Sequence, residues 1–197
     1  MTDPDLRLRQ GRFLARCLPV LLLMAIAACA RPGSNLPPMP EATDHAYRLG
    51  PGDQVRVITF GEEKLSDEFR VSDSGNISLP LIGGIKAAGL TTSELEVALR
   101  DALAKAKLLN NPSVAVEVIA YRPIFVLGEV TKPGQFPYQP GMSVVTAVAV
   151  AGGFTYRAID DYAAVLRSVD GHPVEGRAGR QTLLLPGDVV TVFERRF

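Results

Sequence analysis

The sequence predicts an α+β protein made of two successive units, each combining short strands with one helix. Three observations predict this. A turn-and-strand phrase occurs near both ends, as YRLGPGDQVRV in Tyr47–Val57 and as LPGDVVTV in Leu185–Val192. One long amphipathic helix pattern occupies residues 90–108, and short alternating or β-branched runs fill much of the rest. The length suits one compact body or two small domains.

Residues 1–28 are predicted to be an export signal. Arginines form a basic start, and the apolar run Leu18–Ala28 is shorter than the about 20 residues that a membrane-spanning helix needs. The run ends in Ile26-Ala27-Ala28-Cys29, which resembles a bacterial lipobox. Cys29 is therefore the predicted lipidation site of a lipoprotein. The alternative is a plain signal peptide followed by a chance cysteine.

Cysteine usage and charge agree with export. Cys17 would leave with the signal, so no disulfide could form within one mature chain. Ala30 stands where an Asp would favour retention in the inner membrane, so the predicted location is the outer membrane, lipid-anchored and facing the periplasm. Without residues 1–28 the chain carries 17 basic and 19 acidic side chains, and it has no Trp. This composition argues against nucleic-acid binding.

Residues 29–46 are predicted to be a Pro-rich tether. The segment is poor in large apolar side chains, so we expect it to be extended. At about 3.1 Å per residue in polyproline geometry, such a tether would reach on the order of 50 Å. The folded body would then stand well away from the lipid.

The repeated phrase predicts two equivalent type II turns. Proline fixes φ near −65° and glycine accepts positive φ, which are the requirements of the two central positions. A strand should follow each turn, because the valines after it are spaced two apart. The turn residues are Pro51, Gly52 and Asp53 in the first copy and Pro186, Gly187 and Asp188 in the second.

The first unit is predicted to span residues 47–122. After the first turn and strand, Gly75 is expected to close a hairpin between residues 69–71 and 76–79. Thr91 is a good N-cap for the helix in residues 90–108, and Glu94 lies at the capping-box position. Residues 113–121 alternate as a half-buried strand.

The second unit is predicted to span residues 123–197 and to be a β-grasp-like module, since strands flank one short helix. Pro133 and Gly134 are candidates for a third type II turn. Residues 148–151 alternate as a strand would, but Ser143 can cap a helix start and Gly152 can end it. The closing strand of this unit is expected to return to the first unit. The further turn residue here is Gly153.

Nothing in the sequence predicts catalysis, a metal or a cofactor. The acidic run that begins at Glu62 lacks an aromatic sugar platform, so a solvated face explains it better than a glycosidase pair. The two histidines, His45 and His172, fall in a linker and a predicted turn, and no nucleophile, base and orienting group can be assembled. Asp53 and Asp188 are expected to bond the amides of their own turns; the alternative is that they are ligand or interface groups.

Several phrases in order resemble one protein family. YRLGPGDQVRVITFGEEKLS, VSDSGNISLPLIGGIKAAGLTTSELEVALRDAL and NPSVAVEV look like the polysaccharide export domain of Wza-type outer-membrane polysaccharide export lipoproteins. IFVLGEVTKPGQFPYQPGMSVVTAVAVAGGFT is similar to the soluble-ligand-binding β-grasp (SLBB) domain that follows it in that family. With the lipobox, the resemblance covers nearly all of the mature chain.

The resemblance implies a subunit of a conduit that exports capsular polysaccharide or exopolysaccharide. Family members form homo-oligomeric rings and work with an inner-membrane polysaccharide co-polymerase. The chain stops at Arg195-Arg196-Phe197, directly after a strand, so we expect it to dock against a separate outer-membrane β-barrel. Two alternatives are a periplasmic glycan-binding lipoprotein that forms no conduit and a glycan-active enzyme.

Overall fold

Two buried clusters of apolar side chains organise the chain. The computed structural model describes residues 31–40, 47–169 and 171–195, and these contain ten strands and two helices. One cluster includes Val55, Leu95 and Leu99. The other includes Val126 and Val165. The predicted α+β class is confirmed, and we call residues 47–122 the first unit and residues 123–195 the second.

A three-stranded antiparallel sheet forms one side of the first unit, in the order β2-β1-β5. Its strands are β1 (Gln54–Thr59), β2 (Asp67–Arg70) and β5 (Val114–Ala120). A short 3₁₀ turn at Glu63–Leu65 joins β1 to β2. Alternate side chains of β1 are buried, because successive residues of a strand point to opposite faces.

The hairpin predicted around Gly75 is wrong in its pairing. β2 pairs with β1, while β3 (Asn76–Leu79) pairs with β4 (Gly83–Lys86). The β1 pairing brings Phe69 opposite Val55 over the first core, which a local pairing with β3 would not achieve. Gly75, with φ of 80°, instead turns the chain from one sheet into the next.

Helix α1 (Thr92–Lys105) packs its buried leucines against the sheet of the first unit. The Thr91 hydroxyl accepts from the Glu94 amide at 3.2 Å, and the Thr91 amide donates to the Glu94 carboxylate at 2.9 Å. This reciprocal capping box satisfies two of the free donors at the helix start. The helix is shorter than the predicted range because Lys107 already has a φ of 55°.

The second unit is a five-stranded sheet covered on one face by helix α2 (Val144–Val150). In sheet order its strands are β7 (Gly134–Phe136), β6 (Ile124–Gly128), β10 (Val189–Val192), β8 (Tyr162–Val169) and β9 (His172–Gly179). The expectation that the closing strand returns to the first unit is wrong. β10 runs parallel to β6 and antiparallel to β8, because its Val190 and Val192 belong to the core of this unit.

The type II turn predicted at Pro133 and Gly134 is also wrong. Gly134 begins β7, and the glycine with positive φ at this reversal is Gly128, at 82°. The loop before β7 is held at the end of α2, because the amide of Lys132 donates to the carbonyl of Ala151 at 2.8 Å. His172 and the residue after it form the start of β9 and not the predicted turn.

Residues 31–40, which we call the strap, are docked on the second unit and are not an extended tether. Pro38 forms a parallel bridge with Arg177 of β9, and the Met39 amide donates to the Arg177 carbonyl at 2.8 Å. Met39 is buried in the second core. Gly176 permits this approach, because a Cβ there would lie 2.7 Å from Met39 Cα.

Several sequence-based expectations lie outside the described residues. These are the export signal in residues 1–28, lipidation of Cys29 and the position of His45 in a linker. Among residues 31–40, 47–169 and 171–195, no helix is both long and apolar enough to cross a membrane.

Candidate functional site

The first repeated turn is built around the buried carboxylate of Asp53. Gly52 has a φ of 96°, and the Asp53 amide donates to the Gly50 carbonyl at 3.1 Å, which is type II turn geometry. The carboxylate accepts from the Gly50 amide at 2.8 Å, from the Tyr47 hydroxyl at 2.5 Å and from the Arg122 amide at 2.8 Å. A fully buried charge requires such partners.

The second repeated turn has the same design around Asp188. Gly187 has a φ of 91°, and the Asp188 carboxylate accepts from the Leu185 amide at 2.8 Å. Its charge partner is Arg167 of β8, whose Nε and Nη2 lie 3.0 and 2.7 Å from the two carboxylate oxygens. Arg167 is 5% exposed and Asp188 is 1% exposed, so this is a bidentate ion pair inside the second unit.

The two turns meet at the boundary between the units. The Gly187 amide donates to the Pro123 carbonyl at 3.1 Å, one residue after Arg122, whose amide is bound by Asp53. The guanidinium of Arg122 also turns back to the first unit, with Nη2 3.2 Å from the Tyr47 hydroxyl and Nε 3.6 Å from Asp53. The boundary residues are therefore held from both sides.

Three tyrosines extend this boundary contact. The ring of Tyr121 makes edge-to-face contacts with Tyr47 of the first unit, at 5.0 Å between centroids, and with Tyr138 of the second, at 5.5 Å. Such pairs add about 0.5–1.5 kcal/mol beyond their buried area. Burial raises the pKa of Tyr138. We call the turns, Arg122 and these three rings the junction.

The glycine that precedes the first turn leaves room for the end of the Arg122 side chain. A Cβ on Gly50 would lie 2.1 Å from Nη1 of Arg122. The guanidinium therefore occupies the space that any side chain at residue 50 would take. Gly50, unlike Gly52, has no positive φ, so a side chain there would displace the end of Arg122 without straining the backbone.

The structure brings together six of the predicted turn residues and leaves the others apart. The first copy of the phrase and the second copy both lie at the junction. Gly75 lies beside Ala88 in the first unit, and Gly152 lies beside Thr131 at the end of α2, followed by Gly153. The predicted pair Pro133-Gly134 lies at the start of β7.

Sequence reasoning missed the basic partners of the two aspartates. Arg167 directly follows the apolar run Ala163–Leu166. An arginine on such a strand is expected to have a charged partner if it is buried. Arg122 precedes Pro123 at the predicted unit boundary. The signal available in the sequence was the aspartate that recurs in both copies of the turn. It suggests that each of the two aspartates has a basic partner.

The junction is suited to holding two units at a fixed angle. Both carboxylates have their oxygens occupied by turn amides and arginines, so neither is free to act on a substrate. Within the described part of the chain, no three His, Cys, Asp or Glu side chains approach closely enough to hold a metal ion.

Tyr47 gives a test of the junction at alkaline pH. Burial, reinforced by the hydrogen bond to Asp53, holds the pKa of Tyr47 well above its ordinary value of 10.0. The unfolded chain therefore loses this proton first as the pH rises past about 10, so the free energy of unfolding falls with pH in that range. We expect Tyr47→Phe to flatten this fall, measured by urea unfolding between pH 8 and 12.

The matched control for this measurement is Tyr156→Phe, because Tyr156 is 88% exposed. Its pH profile should follow that of the unmodified protein. Equal slopes for all three proteins above pH 10 would contradict the assignment of Tyr47 to the junction.

Comparison with known proteins adds two family matches. Residues 41–119 match the model described as polysaccharide biosynthesis/export protein, and residues 123–178 match that of the SLBB domain. Together the matches cover more than half of the chain. The interval between them contains Tyr121 and Arg122 of the junction.

Curated relatives share part of their length with this chain. The exopolysaccharide production protein ExoF of Rhizobium meliloti (strain 1021) is 34% identical over 154 residues, which are 73% of this chain and 35% of that protein. The polysialic acid transport protein KpsD of Escherichia coli is 31% identical over 109 residues, 54% of this chain and 19% of its own. The EPS I polysaccharide export outer membrane protein EpsA of Ralstonia nicotianae (strain ATCC BAA-1114 / GMI1000) is 36% identical over 107 residues, 52% and 27% of the two chains. The chain thus spans about a third or less of these relatives.

Proposed function

We propose that the chain acts in the export of capsular polysaccharide or exopolysaccharide. The premise is that it belongs to the polysaccharide biosynthesis/export family and carries an SLBB domain after the export domain. One observation carries this proposal. The two family matches follow each other directly, and the residues between them fasten the two units together at the junction. Relatives matched over the same region are named for polysaccharide production, transport and export.

The specific role that we propose is a subunit of a homo-oligomeric ring that guides the polymer. A ring of identical subunits repeats one contact around an axis, so each subunit must present its two units at the same angle. The junction supplies that constraint through a fully buried carboxylate and three tyrosine rings in edge-to-face contact. The cargo of the ring would be polysaccharide, and its partner, as the family resemblance implies, would be an inner-membrane co-polymerase.

We place the ring at the outer membrane, anchored by lipid on Cys29 and facing the periplasm. The lipobox Ile26-Ala27-Ala28-Cys29 supports the anchor, and the name of the relative EpsA includes the outer membrane. Catalysis has no part in this proposal, because both junction carboxylates are engaged in structural hydrogen bonds.

The experiment that tests the role is deletion of the gene, followed by measurement of polymer in the medium, polymer retained by the cells, and polymer chain length. An export component predicts loss of polymer from the medium, restored by the wild-type gene. Continued export in altered amount would indicate a glycan-binding module, and polymer of changed length or structure would indicate an enzyme. Electron microscopy of gently extracted protein would show whether it forms rings.

A further inference from the structure

We propose that the carboxylate of Glu96 closes one edge of the first unit's sheet to a second copy of this chain. The surface concerned, which we call the β5 edge, consists of the outward backbone groups of Val114, Val116 and Val118. The inference does not depend on the proposed role in export. It goes beyond that role because it identifies a contact between copies that the folded chain excludes, and the group that excludes it.

Strand β5 has a strand partner on one side only, because it stands last in the order β2-β1-β5. The Phe60 amide donates to the Ser113 carbonyl at 2.9 Å, so the backbone of Ser113 faces β1. In an antiparallel pair, residues that exchange hydrogen bonds alternate with residues that do not. Ala115 and Glu117 therefore also face β1, and the three residues of the β5 edge direct their amides and carbonyls away from it.

The sequence of β5 favours pairing between copies. It reads VAVEVIA, and Glu117 is its only charged residue. A short segment of high β-propensity and low charge pairs readily with copies of itself when its edge is open. Two β5 edges would fit antiparallel about Val116, because each Glu117 would then lie opposite Ala115 and not opposite the other Glu117.

Glu96 occupies the middle of this edge. It lies on α1, which packs against β5, and its side chain is half-buried. Its Oε1 accepts from the Val116 amide at 3.0 Å. A carboxylate makes a stronger hydrogen bond than a neutral acceptor does, and its charge repels the carbonyl oxygen of an incoming strand. The amide about which two copies would pair is therefore engaged within the chain.

The opposite edge of the sheet, strand β2, has a similar arrangement. The Val71 amide donates to the Asp53 carbonyl at 2.8 Å, so by alternation Phe69 faces β1 and Glu68 faces away. The outward amide of Glu68 donates to Oδ1 of Asp67 at 2.8 Å. Both edges of this sheet thus have an outward amide bound by a carboxylate, and charge at an edge opposes the addition of a strand.

The sheet of the second unit protects its edges by other means. The strap covers β9, where the Arg177 amide donates to the Pro37 carbonyl at 2.7 Å. Strand β7 has only three residues and lies between Pro133 and Pro137, and prolines and short length both discourage pairing. Strand β5 has seven residues and no proline. Its protection therefore depends on Glu96.

Hydrogen exchange of the folded protein tests the hydrogen bond. Glu96→Ala removes the acceptor, so the Val116 amide should exchange about tenfold faster or more, as the loss of a hydrogen bond to a charged group implies. Glu96→Gln keeps an acceptor oxygen and should restore most of the protection. The matched control is Asp101→Ala, which removes an exposed carboxylate from the same helix and should leave the exchange of Val116 unchanged.

Association between copies tests the consequence of that bond. Sedimentation and hydrogen exchange of the full chain are measured at increasing protein concentration, always against the wild type. Glu96→Ala should gain mass relative to the wild type, and its Val114 and Val118 amides should become protected as two β5 edges pair. Glu96→Gln and Asp101→Ala should show neither change.

Three outcomes would overturn the proposal. Unchanged exchange of Val116 in Glu96→Ala would show that the carboxylate does not hold this amide. Faster exchange without added association would show that Glu96 does not close the edge, and equal association in Asp101→Ala would assign the effect to net charge. Circular dichroism checks that each variant is folded. If Glu96→Ala does not fold, Glu96→Met replaces it in both measurements, because methionine keeps the length of the side chain and has no oxygen.

Discussion

Replacing Arg167 with Met is expected to lower the free energy of unfolding by about 3–5 kcal/mol, the cost of leaving a buried charge without its partner. The carboxylate of Asp188 is 1% exposed and takes both of its charged hydrogen bonds from this arginine. The Leu183 carbonyl also loses its donor, which lies at 3.0 Å. Urea or thermal unfolding monitored by circular dichroism measures the loss.

The matched control is Arg56→Met. Arg56 Nη2 lies 2.7 Å from Glu68, the same distance as in the buried pair, but the two side chains are 47% and 53% exposed. Exposed pairs contribute about 0–1 kcal/mol, so this variant should unfold close to the wild type. Similar losses in the two variants would show that the Arg167 pair is not buried as described.

A double replacement distinguishes a missing partner from a missing packing contact. Arg167→Met combined with Asp188→Leu removes both charges, so we expect it to be more stable than Arg167→Met alone. Recovery should be incomplete, because the Leu185 amide loses its acceptor at 2.8 Å and an unpaired buried donor costs about 1–3 kcal/mol. A double variant less stable than the single one would contradict this account of the site.

Features of the fold that depend on neighbours in sequence were predictable. The cap of α1 needs only Thr91 and Glu94, three residues apart, and the cap of α2 needs only Ser143 and Thr146. Alternation predicted β5, because the pattern of buried valines is a property of the strand itself. The α+β class follows from these local signals and is confirmed.

Features that depend on distant partners were not predictable from local patterns. Residues 67–70 pair with β1 and not with the nearer β3, since Phe69 gains a place over the first core. The strap reads as a spacer because prolines dominate it, and its burial depends on Gly176 far along the chain. Dependence on distant partners also limits prediction of the site. The two aspartates are recognisable because they occur in a repeated turn, whereas Arg122 and Arg167 come from other segments of the chain.

Replacing Gly128 with Ala is expected to destabilise the second unit severely, because two penalties coincide at one residue. Gly128 has a φ of 82°, and a left-handed conformation costs an L-residue roughly 1–2 kcal/mol. A Cβ there would also lie 2.0 Å from the carbonyl oxygen of Val192, which is backbone of the adjacent strand. That oxygen accepts from the Glu129 amide at 3.0 Å, so β6 and β10 would have to separate to relieve the clash.

Gly141→Ala isolates the steric part of this effect. Gly141 has a φ of 80°, almost that of Gly128, but no atom lies within 4 Å of the Cβ that would be added. It should therefore lose only the conformational share of roughly 1–2 kcal/mol, whereas Gly128→Ala should lose several kcal/mol, in the range typical of strain forced on a packed core. Hydrogen exchange should show the additional loss in the amides of β6 and β10, since Gly128 pairs with Val192 in the parallel register. Equal stability of the two alanine variants would mean that β6 and β10 do not approach each other closely at this point, and the placement of β10 between β6 and β8 would then be wrong.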